Sequence, residues 1–284
     1  MSAAPTSLAD WLTYIERQHP QAIALGLERV AQVRDALGLV PAFPILTVGG
    51  TNGKGSVCAM LEAILHRAGY RVGRYTSPHL LRYNERVRIA RADARDEELA
   101  QGFAAVERAR GDVPLTYFEY GTLAGVWLFI ERRVDVAVLE VGLGGRLDAV
   151  NAFEADCAVV TTVDIDHVDF LGGEREAIGR EKAGIFRPGR PAICADPAPP
   201  SSLLRHAVEI GARLVRIDAD FGATPQGRHW QYWGPRGKRS ALPHPVLRGT
   251  CQLANAAAAI AALEAMRERL PVSVNDLRAG LLEA

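Results

Sequence analysis

Ile45-Leu46-Thr47-Val48-Gly49-Gly50-Thr51-Asn52-Gly53-Lys54-Gly55-Ser56 is the stretch from which the rest of the chain is read. Its β-branched start predicts a short strand, its glycines a tight turn, and the apolar residues after it a helix beginning near Ser56. Strand, glycine-rich turn and helix in that order form a concave site whose backbone N–H groups point inward at a helix N-terminus, a place for phosphate. Lys54 adds a mobile positive charge, and Ser56 a hydroxyl that can reach a magnesium ion. The common spacing, G-x-x-x-x-G-K-[ST], puts the hydroxyl residue directly after the lysine. Here Gly55 stands between them.

Length and composition predict a substantial core, in one large domain or two small ones. The 284 residues are 48% hydrophobic and 23% charged, with 33 basic and 33 acidic side chains in balance. A chain of this size buries roughly 75% of its unfolded surface. Zero net charge argues against non-specific nucleic-acid binding, and Arg86-Val87-Arg88 and Arg236-Gly237-Lys238-Arg239 are expected to be solvated faces. Cys58, Cys157, Cys194 and Cys251 stand far apart with no C-x-x-C pair, which points to small buried residues in a reducing compartment. Met1-Ser-Ala-Ala-Pro-Thr-Ser7 lacks a basic stretch followed by an apolar one, so no signal peptide is expected. No run reaches the roughly 18 apolar residues of a membrane span. The expectation is a cytoplasmic, soluble monomer with neither nucleic acid nor membrane as partner.

Taken in order, residues 7–37 read as helices with Ser7 as an N-cap, and Pro41 and Pro44 end that pattern before the first strand. Helical spacing follows the loop as far as Gly69. Val72–Thr76 reads as a strand leading into Ser77-Pro78-His79-Leu80, and Glu85–Ile89 alternates like another. Residues 95–110 and 115–133 are expected to be helices. Val134–Leu139 and Cys157–Val163 are continuous apolar runs of the sort buried on both faces of a parallel sheet. A helix over 174–186, a strand over 191–195 and a helix over 203–211 continue the alternation. The inferred fold is α/β, a doubly wound, mostly parallel sheet with ligands at the carboxyl ends of its strands. Residues 221–248, with Trp230, Tyr232 and Trp233 among glycines and prolines, are expected to form a small β-hairpin excursion. An alanine-rich helix from Gln252 to about Leu270 completes an ATP-binding domain over 1–270, and 271–284 a final helix that starts a linker to an absent domain.

G-T-N-G-K-G-S resembles the loop of Mur-type amide ligases. Further segments, Tyr75-Thr-Ser-Pro-His-Leu-Leu-Arg-Tyr-Asn-Glu-Arg86, Leu115-Thr-Tyr-Phe-Glu-Tyr-Gly-Thr122, Leu139-Glu-Val-Gly-Leu-Gly-Gly-Arg-Leu-Asp148, Asp166-His167, Gly179-Arg-Glu-Lys-Ala-Gly-Ile185 and Asn255, resemble the bifunctional dihydrofolate synthase/folylpolyglutamate synthase family within that superfamily. The resemblance implies ATP-dependent amide formation between a pteroate or folate carboxylate and L-glutamate through an acyl phosphate, with folates and dihydropteroate as substrates. It implies that Gly50, Thr51, Asn52, Gly53, Lys54, Gly55 and Ser56 hold the ATP phosphates and that Asn255 hydrogen-bonds the adenine. By the same resemblance Ser77, Glu140 and His167 hold magnesium, and Lys182 is a carbamylated lysine that helps organise the metal. Potassium is left open.

The same resemblance places the pteroate pocket at Thr116, Tyr117, Phe118, Glu119, Leu147, Asp148 and Ala149. Flat aromatic faces suit a pterin ring, and a carboxylate suits its donor-rich edge. Where the family often has an aspartate this chain has Ala24, which removes one pterin-side contact. Two other readings stay open: a different Mur-type amino-acid ligase, and a nucleotide- or folate-binding module without turnover. The chain by itself is expected to bind Mg-ATP weakly and to turn over poorly.

Overall fold

The structure is a computed structural model that describes residues 5–284; Met1 to Ala4, where the leader reading begins, lie outside the described residues. Two helices come first, α1 (Leu8–Ile15) and α2 (Glu28–Leu37). Ser7 caps α1, its hydroxyl accepting from Asp10 N while the Asp10 carboxylate returns to Ser7 N. Then β1 (Ile45–Gly49) opens the alternation with α3 (Lys54–Arg67) and β2 (Val72–Tyr75). β3 (Val87–Ile89) and β4 (Ala92–Asp93) precede α4 (Asp96–Arg110) and α5 (Tyr117–Glu131), and β5 (Val136–Glu140) leads on to β6 (Cys157–Val160). The short α6 (Val168–Leu171) is followed by α7 (Arg175–Ala183), β7 (Pro191–Cys194), α8 (Ser201–Glu209) and β8 (Arg213–Arg216).

These strands form one sheet of eight in the order β4-β3-β2-β5-β1-β6-β7-β8. From β2 to β8 every pairing is parallel; β3 and β4 join antiparallel at one end. The central strands β1, β5, β6 and β7 are buried along their whole length, as continuous apolar runs between two helical layers must be. The chain leaves β1 in one direction for β2 and later returns to its other side for β6. β1 is therefore the switch point, where a crevice opens outside the carboxyl ends of the strands.

On one face lie α1, α2, α4 and α5, around Phe103, Tyr120 and Phe129. The other face is covered by α3, by α9 (Gln252–Ala265) and by α10 (Val274–Leu281), while α7 and α8 lie on the first face, over β6 and β7. Alanines 256–259 are fully buried, which lets α9 approach the sheet closely. Gly280 of α10 serves the same end: a Cβ there would stand 2.5 Å from Ile64 Cα of α3. Leu277 and Leu281 share the core of α3, so residues 274–281 pack into this body.

Several expectations need correcting. The aromatic excursion is a three-stranded antiparallel sheet, not a hairpin: β9 (Gly222–Gln226), β10 (His229–Gly234) and β11 (Gly237–Pro243), with β10 central. Trp230 and Tyr232 of β10 are fully buried on the face that packs on α9, where the Tyr232 hydroxyl donates to Glu264 at 3.0 Å. The alternation at Glu85–Ile89 is half a 3₁₀ turn over Tyr83–Arg86, because Glu85 accepts from the N–H groups of Leu80, Leu81 and Arg82. β8 escaped notice because an edge strand with arginine at both ends lacks a long apolar run. Cys58, Cys157 and Cys194 are buried, but Cys251 is exposed at the start of α9. Arg86 and Arg88 are not a solvated face: Arg88 pairs with buried Glu62 at 3.4 Å, which also takes Arg74 at 2.9 Å.

Candidate active site

The chain leaves β1 at Gly49 and turns at Gly50, whose φ is +139°. A Cβ on Gly50 would lie 1.9 Å from Thr161 Oγ1, and one on Gly53 (φ +91°) 2.6 Å from Asn255 Oδ1. Both positions demand glycine twice, for dihedral and for space. The loop is strapped to the segment after β6: Thr51 N donates to Thr162 O (2.6 Å), Asn52 N to Thr162 Oγ1 (3.1 Å) and Thr51 Oγ1 to Asp164 O (3.1 Å). α3 begins two residues earlier than the apolar pattern predicted, at Lys54. The N–H groups of Lys54, Gly55 and Ser56 thus belong to the first turn, where a helix supplies no acceptor. Lys54 Nζ folds across the loop to the carbonyls of Gly50 (3.1 Å) and Thr51 (3.2 Å).

The first turn of α9 meets the same loop. Gln252 Nε2 donates to Ser56 Oγ (3.3 Å), and Asn255 Nδ2 to Gln252 Oε1 (3.0 Å). Asn255 is not a cap; that position is Cys251, and Asn255 lies one turn inside the helix, 5% exposed beside Gly53.

Glu140 is the last residue of β5 and only 5% exposed. Ser77 N, at the end of β2, donates to its Oε2 at 3.3 Å. Burial raises this carboxyl, against the charges of Lys54 and Arg74 and the Ser77 N–H. A Cβ on Gly55 would sit 3.9 Å from Glu140 Oε1, so the extra glycine of the loop leaves the carboxylate an open face toward the N-terminus of α3. His167 starts α6 with φ +50°, its ring half-exposed and 3.6 Å from the Asp166 carboxylate. Lys182 in α7 is 3% exposed; burial, helped by the charge of Lys54, pushes its ammonium down to about 8.

Among the described residues no group of three His, Cys, Asp or Glu side chains can hold a metal unaided. That suits magnesium, which takes one or two carboxylates and completes its octahedron with substrate phosphates and water. Glu140, buried with one backbone donor, has an oxygen to give. The donor set therefore fits the ion.

Beside this end of the sheet opens a cavity of about 330 Å³. Thr116, Tyr117, Phe118 and Glu119 form one wall; Leu147, Asp148 and Ala149 form another; Ser77 and His167 stand at the rim. All seven expected pteroate residues therefore face one space. The first wall is built by the cap of α5, where Thr116 Oγ1 accepts from Glu119 N and the Glu119 carboxylate from Thr116 N (2.7 Å). Glu119 Oε1 is taken by Arg29 Nη2 at 2.8 Å, and the same nitrogen reaches Ala24 O at 2.9 Å. The carboxylate expected to meet a donor-rich ring edge thus already has a protein partner on each oxygen. Asp148, 3% exposed, accepts from Leu143 N (2.8 Å) and Val150 N (2.9 Å), and burial raises it to about 7.

Sequence reasoning missed Arg86, which lines the cavity with Ile23, Leu25 and Pro78. Its guanidinium lies 5.3 Å from the ring centre of Tyr83 and 5.4 Å from that of Tyr117, and Nε donates to His79 Nδ1 at 2.9 Å. The spacing Tyr83-x-x-Arg86 was the only local signal, and an arginine between Glu85 and Val87 reads as solvated without the partner ring of α5.

Residues 48–263 match the Mur ligase middle domain. The dihydrofolate synthase/folylpolyglutamate synthase of Escherichia coli K12 is 48% identical over 282 residues, 99% of this chain and 65% of that protein. The structure of E. coli FolC in complex with DHPP and ADP superposes with a TM-score of 0.95 at 48% identity, covering 100% of this chain and 67% of that one. A bifunctional folylpolyglutamate synthase/dihydrofolate synthase with Mn, AMPPNP and L-glutamate bound gives 0.91 at 46% identity, covering 100% and 68%. This chain spans about two thirds of the length of those proteins. It belongs to the Mur ligase family, and within it to the group of the dihydrofolate synthase/folylpolyglutamate synthases.

Proposed function

We propose that the protein carrying this chain joins L-glutamate to 7,8-dihydropteroate and to folates, consuming ATP through an acyl phosphate. One observation carries the reading: the phosphate loop and the aromatic-walled cavity open at the same end of the sheet, with Ser77 and Glu140 between them. Similarity to proteins named for this activity, one of them solved with AMPPNP and L-glutamate, supports it.

In this reading the backbone N–H groups from Gly50 to Ser56 hold the ATP phosphates, Lys54 neutralises the β/γ charge, and Asn255 meets the adenine. Bound magnesium, at Ser77, Glu140 and His167, would neutralise charge developing on the transferred phosphoryl group; the residues themselves supply little covalent help, since such transfer rests on positioning. The aromatic wall holds the pteroyl ring with its carboxylate directed at the γ-phosphate, and glutamate nitrogen then displaces phosphate from the acyl carbon. Tyr117 and Phe118 keep the ring's surroundings dry, which protects an intermediate that water would destroy. Lys182 serves as the carbamylated lysine: a buried amine at about 8 is partly neutral near neutrality and so can take up CO₂. Four free cysteines support a reducing compartment, the cytoplasm, as the site of action.

The test is ADP release from the chain together with any sequence that naturally follows it. Release is expected only when dihydropteroate or a folate and L-glutamate are both present. Stimulation by a UDP-sugar peptide in their place would replace this reading with that of a cell-wall ligase.

A further inference from the structure

We infer that Arg86 grips the α-carboxylate of a folate's glutamyl tail, so that this one side chain serves folate substrates and not dihydropteroate. The inference rests on the proposed function and concerns the same cavity. The arginines nearest to it are spent on the protein itself: Arg29 on Glu119, Arg74 and Arg88 on Glu62, Arg82 on Asp96. Arg86 pairs with no carboxylate among the described residues. Its Nε is tied to His79, its face to the rings of Tyr83 and Tyr117, its guanidinium also reaches the Tyr75 hydroxyl, and the residue lines the cavity.

That is a guanidinium held in one orientation by neutral partners, with its charge met by no carboxylate of the described residues. Its backbone carbonyl accepts from Thr76 N at 2.9 Å, which seats it beside Ser77, at the reactive end of the cavity. Dihydropteroate has one carboxylate, the one that must attack phosphorus. A cation clamped on that group would stabilise the reactant more than the neutral acyl end of the product and so oppose its phosphorylation. A folate carries a second carboxylate, on the α-carbon of its tail, that stays ionised throughout. This is the group for which a fixed guanidinium is an anchor without a penalty.

The experiment compares wild type, R86Q and R86K in the chain with any sequence that naturally follows it, using dihydropteroate, tetrahydrofolate, and tetrahydrofolate whose α-carboxylate is an amide. In R86Q, KM for tetrahydrofolate should rise by at least about tenfold more than KM for dihydropteroate, as loss of one charge-assisted contact beyond the shared disturbance of the wall implies. The α-amide should cost wild type the same factor and R86Q nothing further, the signature of a direct pair. R86K, with charge but no fork, should fall between. Equal losses for all three substrates would make Arg86 a wall residue and overturn the assignment, as would a loss confined to dihydropteroate. The wild-type comparison of tetrahydrofolate with its α-amide needs no variant to fold, and equal KM values there would also overturn it. Wild type that ligates glutamate to no folate or pteroate would instead overturn the proposed function.

Discussion

Asp148 lies 3% exposed with its carboxylate facing backbone N–H groups of Gly142, Leu143 and Val150, yet burial outweighs them and holds it at about 7. Unfolded, the group titrates at its ordinary 3.8, so between that value and about 7 the folded chain binds more protons than the unfolded chain. Stability present below 3.8 is therefore lost as pH rises through about 7. The melting temperature should fall across that window, and D148N should flatten the fall; a variant with the wild-type slope would refute the shift. Gly50 makes a second residue-scale case. An alanine there must adopt φ +139° and push Thr161 aside, a cost of roughly 1–3 kcal/mol. G50A should weaken Mg-AMPPNP binding in calorimetry by more than tenfold, and unchanged affinity would mean that the loop tolerates the side chain. At this scale Lys54 was legible, because a lysine after glycines at a helix start has one chemistry. Arg86 was not, because its partner rings come from the 3₁₀ turn and from α5.

α3 couples the phosphate loop to the far side of the molecule. It begins at Lys54, carries Glu62 into the Arg74–Glu62–Arg88 cluster, and near its end packs Ile64 against Gly280 of α10. Valine at 280 would drive a Cβ into the backbone of α3, and overpacking of that kind costs roughly 1–3 kcal/mol. G280V should lower the melting temperature by roughly 3–8 °C. An unchanged melt would show that α10 can shift without cost. The elements themselves were largely readable: Ser7, Thr116 and Ser273 each accept from the N–H three residues on, a pairing visible as S/T followed by Asp or Glu. The third strand of the aromatic sheet was less so. β9 is Gly-Ala-Thr-Pro-Gln, with neither alternation nor apolar run, and is a strand only because β10 pairs with it.

At the scale of the whole molecule, phosphate loop, cavity and the first turn of α9 gather at one end of the sheet, in a chain that spans about two thirds of the length of the proteins it matches. Catalysis through an acyl phosphate needs that end closed against water. The 284-residue chain alone should therefore bind Mg-ATP weakly and form glutamate adducts slowly or not at all, measured by ADP release and by mass of the product. Rapid ligation by the chain alone would show that closure is unnecessary.

Order and spacing along the chain determined the parallel sheet and the phosphate loop, while the membership of the aromatic wall came from the family resemblance. These depend on interactions between near neighbours: burial of continuous apolar runs, caps, and backbone N–H groups freed at a helix start. Tertiary structure alone decided which charges remain unspent. Glu119 is neutralised by Arg29 from 90 residues away, Glu62 by Arg74 and Arg88, and Arg86 by no acid among the described residues. Electrostatic pairing is a property of distance in space, and no pattern along the sequence records it.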